Sequence, residues 1–264
     1  MRELWRYRQL ISNLTIRDLK LKYKRSTLGV AWSLLNPLLM MAIYTAVFSV
    51  FLRAIHITNY WALVLVGLLA WLFFANALGS ATVSFAHSGN LISKVYFPIE
   101  ALPIASVLAN FVNLLISLAV LIVVLLVVHT PTGPTLGLSV VLLPVILLAQ
   151  LFFTLGLSLM VASFTVYLRD LEHMVTLGLT ALFYVTPVLY PLDPRALPRG
   201  AAQFIPILSM NPLAWFLNSY HSVLFYGTWP DTTSFALMLA AAAVTVVVGY
   251  AVFLHFRPHL PEEV

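Results

Sequence analysis

Between positions 101 and 128 the chain carries no Lys, Arg, Asp or Glu. A helix needs roughly 20 consecutive apolar residues to cross a hydrocarbon core, so this one stretch already exceeds a span. The rest of the chain agrees. Of its 264 residues 61% are hydrophobic and 9% charged, whereas a soluble domain carries roughly 25% charged residues to stay solvated. The expected fold class is all-α: a polytopic membrane protein, not a soluble enzyme.

Six spans are expected, over residues 28–52, 60–86, 101–128, 136–168, 173–190 and 232–256. The fourth run is too long for one straight crossing, and Pro144 is expected to break or kink it. Residues 191–230 are apolar yet interrupted by Pro191, Pro194, Pro198, Pro206 and Pro212. No single helix survives five prolines. Phe204, Ile205, Ile207, Leu208, Trp215, Phe216 and Leu217 also make a fully solvated loop a poor fit. Short re-entrant helices are expected there, on the outer face.

Eight of the fourteen Lys and Arg precede Ser26. Leu4, Tyr7, Ile11 and Leu14 form one helical stripe, and Ile16, Leu19 and Tyr23 a second, among Arg17, Lys20, Lys22, Lys24 and Arg25. Residues 1–27 are therefore expected to be a cytoplasmic interfacial amphipathic helix, its apolar side in the acyl boundary and its bases at lipid phosphates. No cleavable signal is expected, because about 25 mixed residues precede the first apolar run. Residues 28–264 form the six-span domain. Placing both termini on one side puts eleven bases there, the eight above plus Lys94, Arg169 and Arg257. Arg53, Arg195 and Arg199 lie opposite. That asymmetry orients both termini to the cytoplasm. The same placement of the bases speaks for lipid headgroups and against nucleic acid.

Several chemistries find no support. The chain lacks cysteine and the dipeptide Gly-Lys, so a thiolate site and a phosphate-binding loop are both missing. All nine acids map to span ends or loops, where an ion-coupled carrier would keep some inside. His87, His129 and His221 sit near boundaries and read as structural. No catalytic, metal or cofactor residue is expected in this chain. The informative punctuation is two short segments on the basic side, around Asn90, Lys94 and Phe97 and around Arg169 and Asp170. Each is long enough for a helical turn or two that docks in a partner.

Four places carry a resemblance, in order along nearly the whole chain. The first runs from Arg17 and Asp18 through Lys20, Tyr23, Lys24, Arg25, Leu28, Gly29 and Trp32 to Asn36 and Pro37. The second holds Asn90, Lys94, Phe97 and Pro98; the third, Tyr167, Arg169 and Asp170. The fourth is Thr186, Pro187 and Tyr190, followed by Asn211, Pro212 and Tyr220. Together they resemble the permease subunits of ABC transporters that export polysaccharides of the O-antigen, capsule and wall teichoic acid kinds. One departure is His221, where the pattern has arginine.

The resemblance implies a homodimer in the bacterial plasma (inner) membrane with two separate ATPase subunits that hold Mg-ATP. It implies a glycan on an undecaprenyl-type lipid as cargo. It makes the first motif the interfacial helix, and Asn90, Lys94, Phe97, Arg169 and Asp170 the coupling residues. Aromatic walls without fixed charge suit a sliding sugar polymer. Tyr44, Trp71, Tyr184, Tyr190, Trp215, Phe216 and Tyr220 are the candidates for conduit and gate. A permease for a drug or other hydrophobic small molecule and an intramembrane lipid-modifying enzyme are the alternatives.

Overall fold

The computed structural model describes residues 7–23, 29–51, 57–86, 97–127, 136–168, 170–192 and 202–257. Nine α-helices run through these residues: α1 (Arg8–Tyr23), α2 (Trp32–Thr45), α3 (Tyr60–Thr82), α4 (Ala101–Val127), α5 (Leu143–Tyr167), α6 (Leu171–Val185), α7 (Ile205–Ser209), α8 (Pro212–His221) and α9 (Thr232–Phe256). No strand occurs among the described residues. The all-α membrane class is as expected. Among the described residues five elements are long and apolar enough to cross a bilayer: Trp32–Phe51, Tyr60–Thr82, Ala101–Val127, Leu138–Tyr167 and Thr232–Phe256.

The fifth expected span is the shorter one. α6 ends at Val185, five residues before the expected boundary, because Pro187 forces extended backbone on Thr186 (ψ 138°). Its 15 residues rise only about 22 Å. Pro144 also behaves differently from the expectation. It occupies the first turn of α5, where its missing N–H costs no helical bond, and a 3₁₀ turn over Leu138–Leu142 precedes it. The run is neither broken nor kinked at its middle.

Pro37 is the proline that falls inside a helix. Lacking an N–H, it leaves the Ser33 carbonyl without its helical donor. The hydroxyl of Ser117 on α4 points at that oxygen from 3.4 Å, a repair available only where a second helix lies alongside.

α3 is the centre of the protomer, with Ala62 to Ala70 continuously buried. α4, α5 and α8 pack around it. α9 pairs with α5 across a crossing of two glycines. A Cβ on Gly249 would fall on the Gly156 carbonyl oxygen, and one on Gly156 would fall on that of Thr245. Such backbone-to-backbone approach holds helices together where lipid removes the hydrophobic drive. α2 and α6 lie at the margin: α2 buries only Pro37 and α6 buries no residue fully.

α1 departs from a purely interfacial helix. Leu14 is 5% exposed and packs with Phe85, Phe97, Leu159 and Phe253. Ile11 and Leu14 of the first expected stripe pack on protein, whereas Ile16 of the second stripe and Leu21 are left exposed.

Candidate functional site

A cleft of about 990 Å³ opens between α1, α2, α3, α4 and α6. Its wall changes character along α3. At the α1 end it is amide and hydroxyl: Asn76 and Ser80 from α3, and Ser106, Asn110 and Asn113 from α4. Positions 106, 110 and 113, continued by Ser117, recur at helical spacing, so one face of α4 supplies them all. The polar wall continues into a neighbouring crevice of about 250 Å³, where Asn36 joins Asn76, Asn110 and Asn113. Four carboxamides thus gather inside the span region.

Hydrogen bonds fix these groups. Asn110 Nδ2 donates to Ser80 Oγ (2.9 Å) and to the Ser106 carbonyl (2.9 Å). Its Oδ1 accepts from Lys22 Nζ at 3.2 Å. The Ser106 hydroxyl donates to Asp18 Oδ2 at 3.2 Å. Asp18 and Lys22 are one turn apart on α1, and Ser106 and Asn110 one turn apart on α4, so two matched pairs set the register of α1 against α4. Arg17 pairs with Asp18 at 3.0 Å. Burial pushes the Lys22 ammonium below its ordinary pKa.

About 8 Å beyond Asn76 along α3, at Trp71, the wall becomes aromatic. The Phe183 ring lies 5.6 Å from both Tyr44 and Trp71 and 5.2 Å from Tyr184, centroid to centroid. Three of the seven candidate aromatics are thus brought together, by a phenylalanine the sequence did not single out.

The other four lie outside that cluster. Tyr190 donates to the Tyr184 carbonyl (2.9 Å), and the Trp215 indole to that of Ser209 (2.8 Å). Phe216 and Tyr220 are fully buried within the protomer. Phe216 sits 5.0 Å from Phe153. Tyr220 bonds Gln150 at 2.7 Å. His221 is buried with Nε2 3.2 Å from the Leu63 carbonyl, a structural histidine. Asn211 caps α8 by accepting from Leu213 N (3.0 Å) and donates to Thr186 Oγ1 (2.8 Å).

Of the expected coupling residues, Phe97 is 7% exposed and packs in the Leu14 cluster. Asp170 is exposed at the start of α6. Asn90, Lys94 and Arg169 lie outside the described residues, as do Lys24 and Arg25 of the basic segment. Lys20 is exposed on α1. No grouping of metal-binding side chains occurs among the described residues.

The profile of the family described as ABC-2 type transporter matches residues 9–225. The chain belongs to the ABC-2 type transporter family. It is therefore a membrane-spanning permease chain, and an ABC permease works with an ATPase partner. The match takes in α1 through α8 and thus both walls of the cleft. This ABC-2 chain is 37% identical over 251 residues to the "O-antigen export system permease protein RfbA" of Myxococcus xanthus, covering 95% of this chain and 92% of that one. It is 33% identical over 245 residues to the protein of the same name from Klebsiella pneumoniae, covering 92% and 90%.

Proposed function

We propose that this chain is the membrane path of an ATP-driven exporter for a lipid-linked polysaccharide of the O-antigen type. The observation that carries the reading is the two-part wall of the cleft. Carboxamides and hydroxyls match the donors and acceptors of sugar hydroxyls, and the adjoining rings offer flat apolar faces for sugar rings. A hydrophobic drug would set apolar surface against this polar wall, which favours a hydroxyl-rich cargo. The relatives named for O-antigen export support the same cargo.

In this reading the protein works as a homodimer. α2 and α6 flank the cleft and bury almost nothing within the protomer, so a second copy set against them closes the path. α6 with the turn that follows is the fifth of six crossings, and the hairpin of α7 and α8 is the re-entrant outer gate. Both termini lie in the cytoplasm of a bacterial inner membrane. Two separate ATPase subunits bind Mg-ATP and push on the segments holding Asn90, Lys94, Phe97, Arg169 and Asp170. Arg17, Lys20, Lys24 and Arg25 meet lipid headgroups. Tyr44, Trp71 and Tyr184 line the conduit, while Tyr190, Trp215, Phe216 and Tyr220 shape the gate.

The test is export in a strain lacking the gene. Without the permease, lipid-linked glycan should accumulate on the cytoplasmic leaflet, and the unaltered chain should clear it. Asn76→Leu with Tyr184→Ala, both exposed in the cleft wall, should insert normally and leave the glycan inside. Full export by that variant, or no glycan accumulation in the deletion strain, would remove the cleft or the cargo from this reading.

A further inference from the structure

Glu100 is the one buried carboxylate among the described residues, 1% exposed. It stands directly before α4, and its carbonyl accepts from Ile104 N at 3.2 Å to open that helix. One side-chain oxygen, Oε1, lies 3.6 Å from Nη1 of Arg257, the residue that follows α9. The other, Oε2, is buried with no hydrogen-bond partner. A buried charge held this way is costly, and a well-packed neutral side chain would hold the fold as well or better.

The geometry explains what a charge offers here. At 3.6 Å the pair lies beyond hydrogen-bond range. It is held by Coulomb attraction, which falls off slowly with distance and tolerates a change of angle. A hydrogen bond or a packed apolar contact is lost on a shift of about an ångström. A pair of this kind can therefore stay joined while its two elements move.

The two elements are the right ones. Three residues before Glu100 is Phe97, packed against Phe253 of α9 and Leu14 of α1. Beyond Arg257 in the other direction, α9 is fixed to α5 at the Gly249–Gly156 crossing. A displacement at residue 97 thus has a continuous route through Glu100 and Arg257 into two membrane helices.

We propose that Glu100 and Arg257 form the joint that carries an ATPase-driven displacement of Phe97 into the α5–α9 pair, making Glu100 a positioning residue of the transport cycle. The assignment requires an ATPase partner but is independent of the cargo, so its test reads motion and not export.

The permease is co-purified with its ATPase in lipid nanodiscs and spin-labelled at Ala86→Cys and Leu254→Cys, both exposed and in a chain without native cysteine. A non-hydrolysable ATP analogue should change the distance between the labels. Glu100→Gln with Arg257→Gln removes both charges together, so no unpaired buried charge is left to unfold the protein. In that double variant the fraction of molecules that shift should fall about fivefold or more. The exchanged pair, Glu100→Lys with Arg257→Glu, should recover it. An unaltered protein whose labels do not move would overturn the joint. So would a neutral double variant that shifts as fully as the unaltered protein, or an exchanged pair that assembles with the ATPase but does not shift.

Discussion

The Tyr220 hydroxyl donates to Gln150 Oε1 at 2.7 Å, and Gln150 Nε2 donates to the Ala70 carbonyl at 2.9 Å. Three elements, α8, α5 and α3, are pinned by one buried side-chain chain of bonds. Tyr220→Phe leaves an amide oxygen buried without a donor, which should cost about 1–3 kcal/mol. Adding Gln150→Leu should cost less than the sum of the two single changes, because both partners then go together. Thermal unfolding of the detergent-solubilised protein measures both effects.

Trp215 and Phe216 separate a gate from a core. Phe216 is fully buried against Phe153, so Phe216→Ala should behave as a cavity mutation costing ~3–5 kcal/mol and lower the yield of folded protein. Trp215 is half-buried, and Trp215→Ala should leave yield intact while raising the resting ion conductance of reconstituted vesicles. Unchanged conductance in that single variant would take the sealing role away from Trp215.

Lys94 and Phe97 divide in a similar way. Phe97 packs with Leu14, Phe85 and Phe253, so Phe97→Ala should lower thermal stability together with transport. Lys94→Glu should lower ATP-driven export with no loss of stability. Export equal to the unaltered protein in Lys94→Glu would exclude that residue from coupling.

Lys22 predicts a pH dependence. Burial holds its folded-state pKa below the ordinary 10.5. The unfolded chain then binds the proton more tightly, so stability rises with pH between the folded-state pKa and 10.5 and is flat below that window. Lys22→Met should remove that contribution to the rise. Melting temperatures taken across alkaline pH should rise more steeply in the unaltered chain than in the variant.

Orientation is open to direct labelling, since the chain has no cysteine of its own. With intact cells and a membrane-impermeant thiol reagent, single cysteines introduced at positions 56 and 197 should react. Those at 92 and 171 should react only after the cells are opened. The opposite pattern would invert the eleven-to-three reading of the bases.

The long spans were legible because uninterrupted apolarity leaves one solution. Thr232–Phe256 is bounded by Asp231, which caps α9 by accepting from Ser234 N, and by Arg257, and both ends fall as expected. Where a proline decides, position within the helix matters more than presence. Pro144 starts α5, Pro187 stops α6, and Pro37 is accommodated because Ser117 happens to lie beside it. The polar wall is less legible. Nothing in the sequence marks Asn76, Asn110 and Asn113 singly, because isolated polar residues in spans commonly bond their own helix. The signal available was the spacing of Ser106, Asn110, Asn113 and Ser117 on one face. Its meaning appears only when α1 lays Asp18 and Lys22 against that face. The aromatics divided for a similar reason. Periodicity cannot say that Phe183 gathers Tyr44, Trp71 and Tyr184, or that Phe216 and Tyr220 turn inward.

α6 buries none of its residues fully, which bears on how the protein is made. Its place in the bilayer depends on lipid and on whatever protein lies beside it more than on its own chain. A newly synthesised protomer should therefore have its other long helices settled while this one still samples depth and tilt. If a neighbour fails to arrive, α6 is the handle by which a membrane protease would extract the orphan, so the abundance of this subunit should track its assembly and not its rate of synthesis.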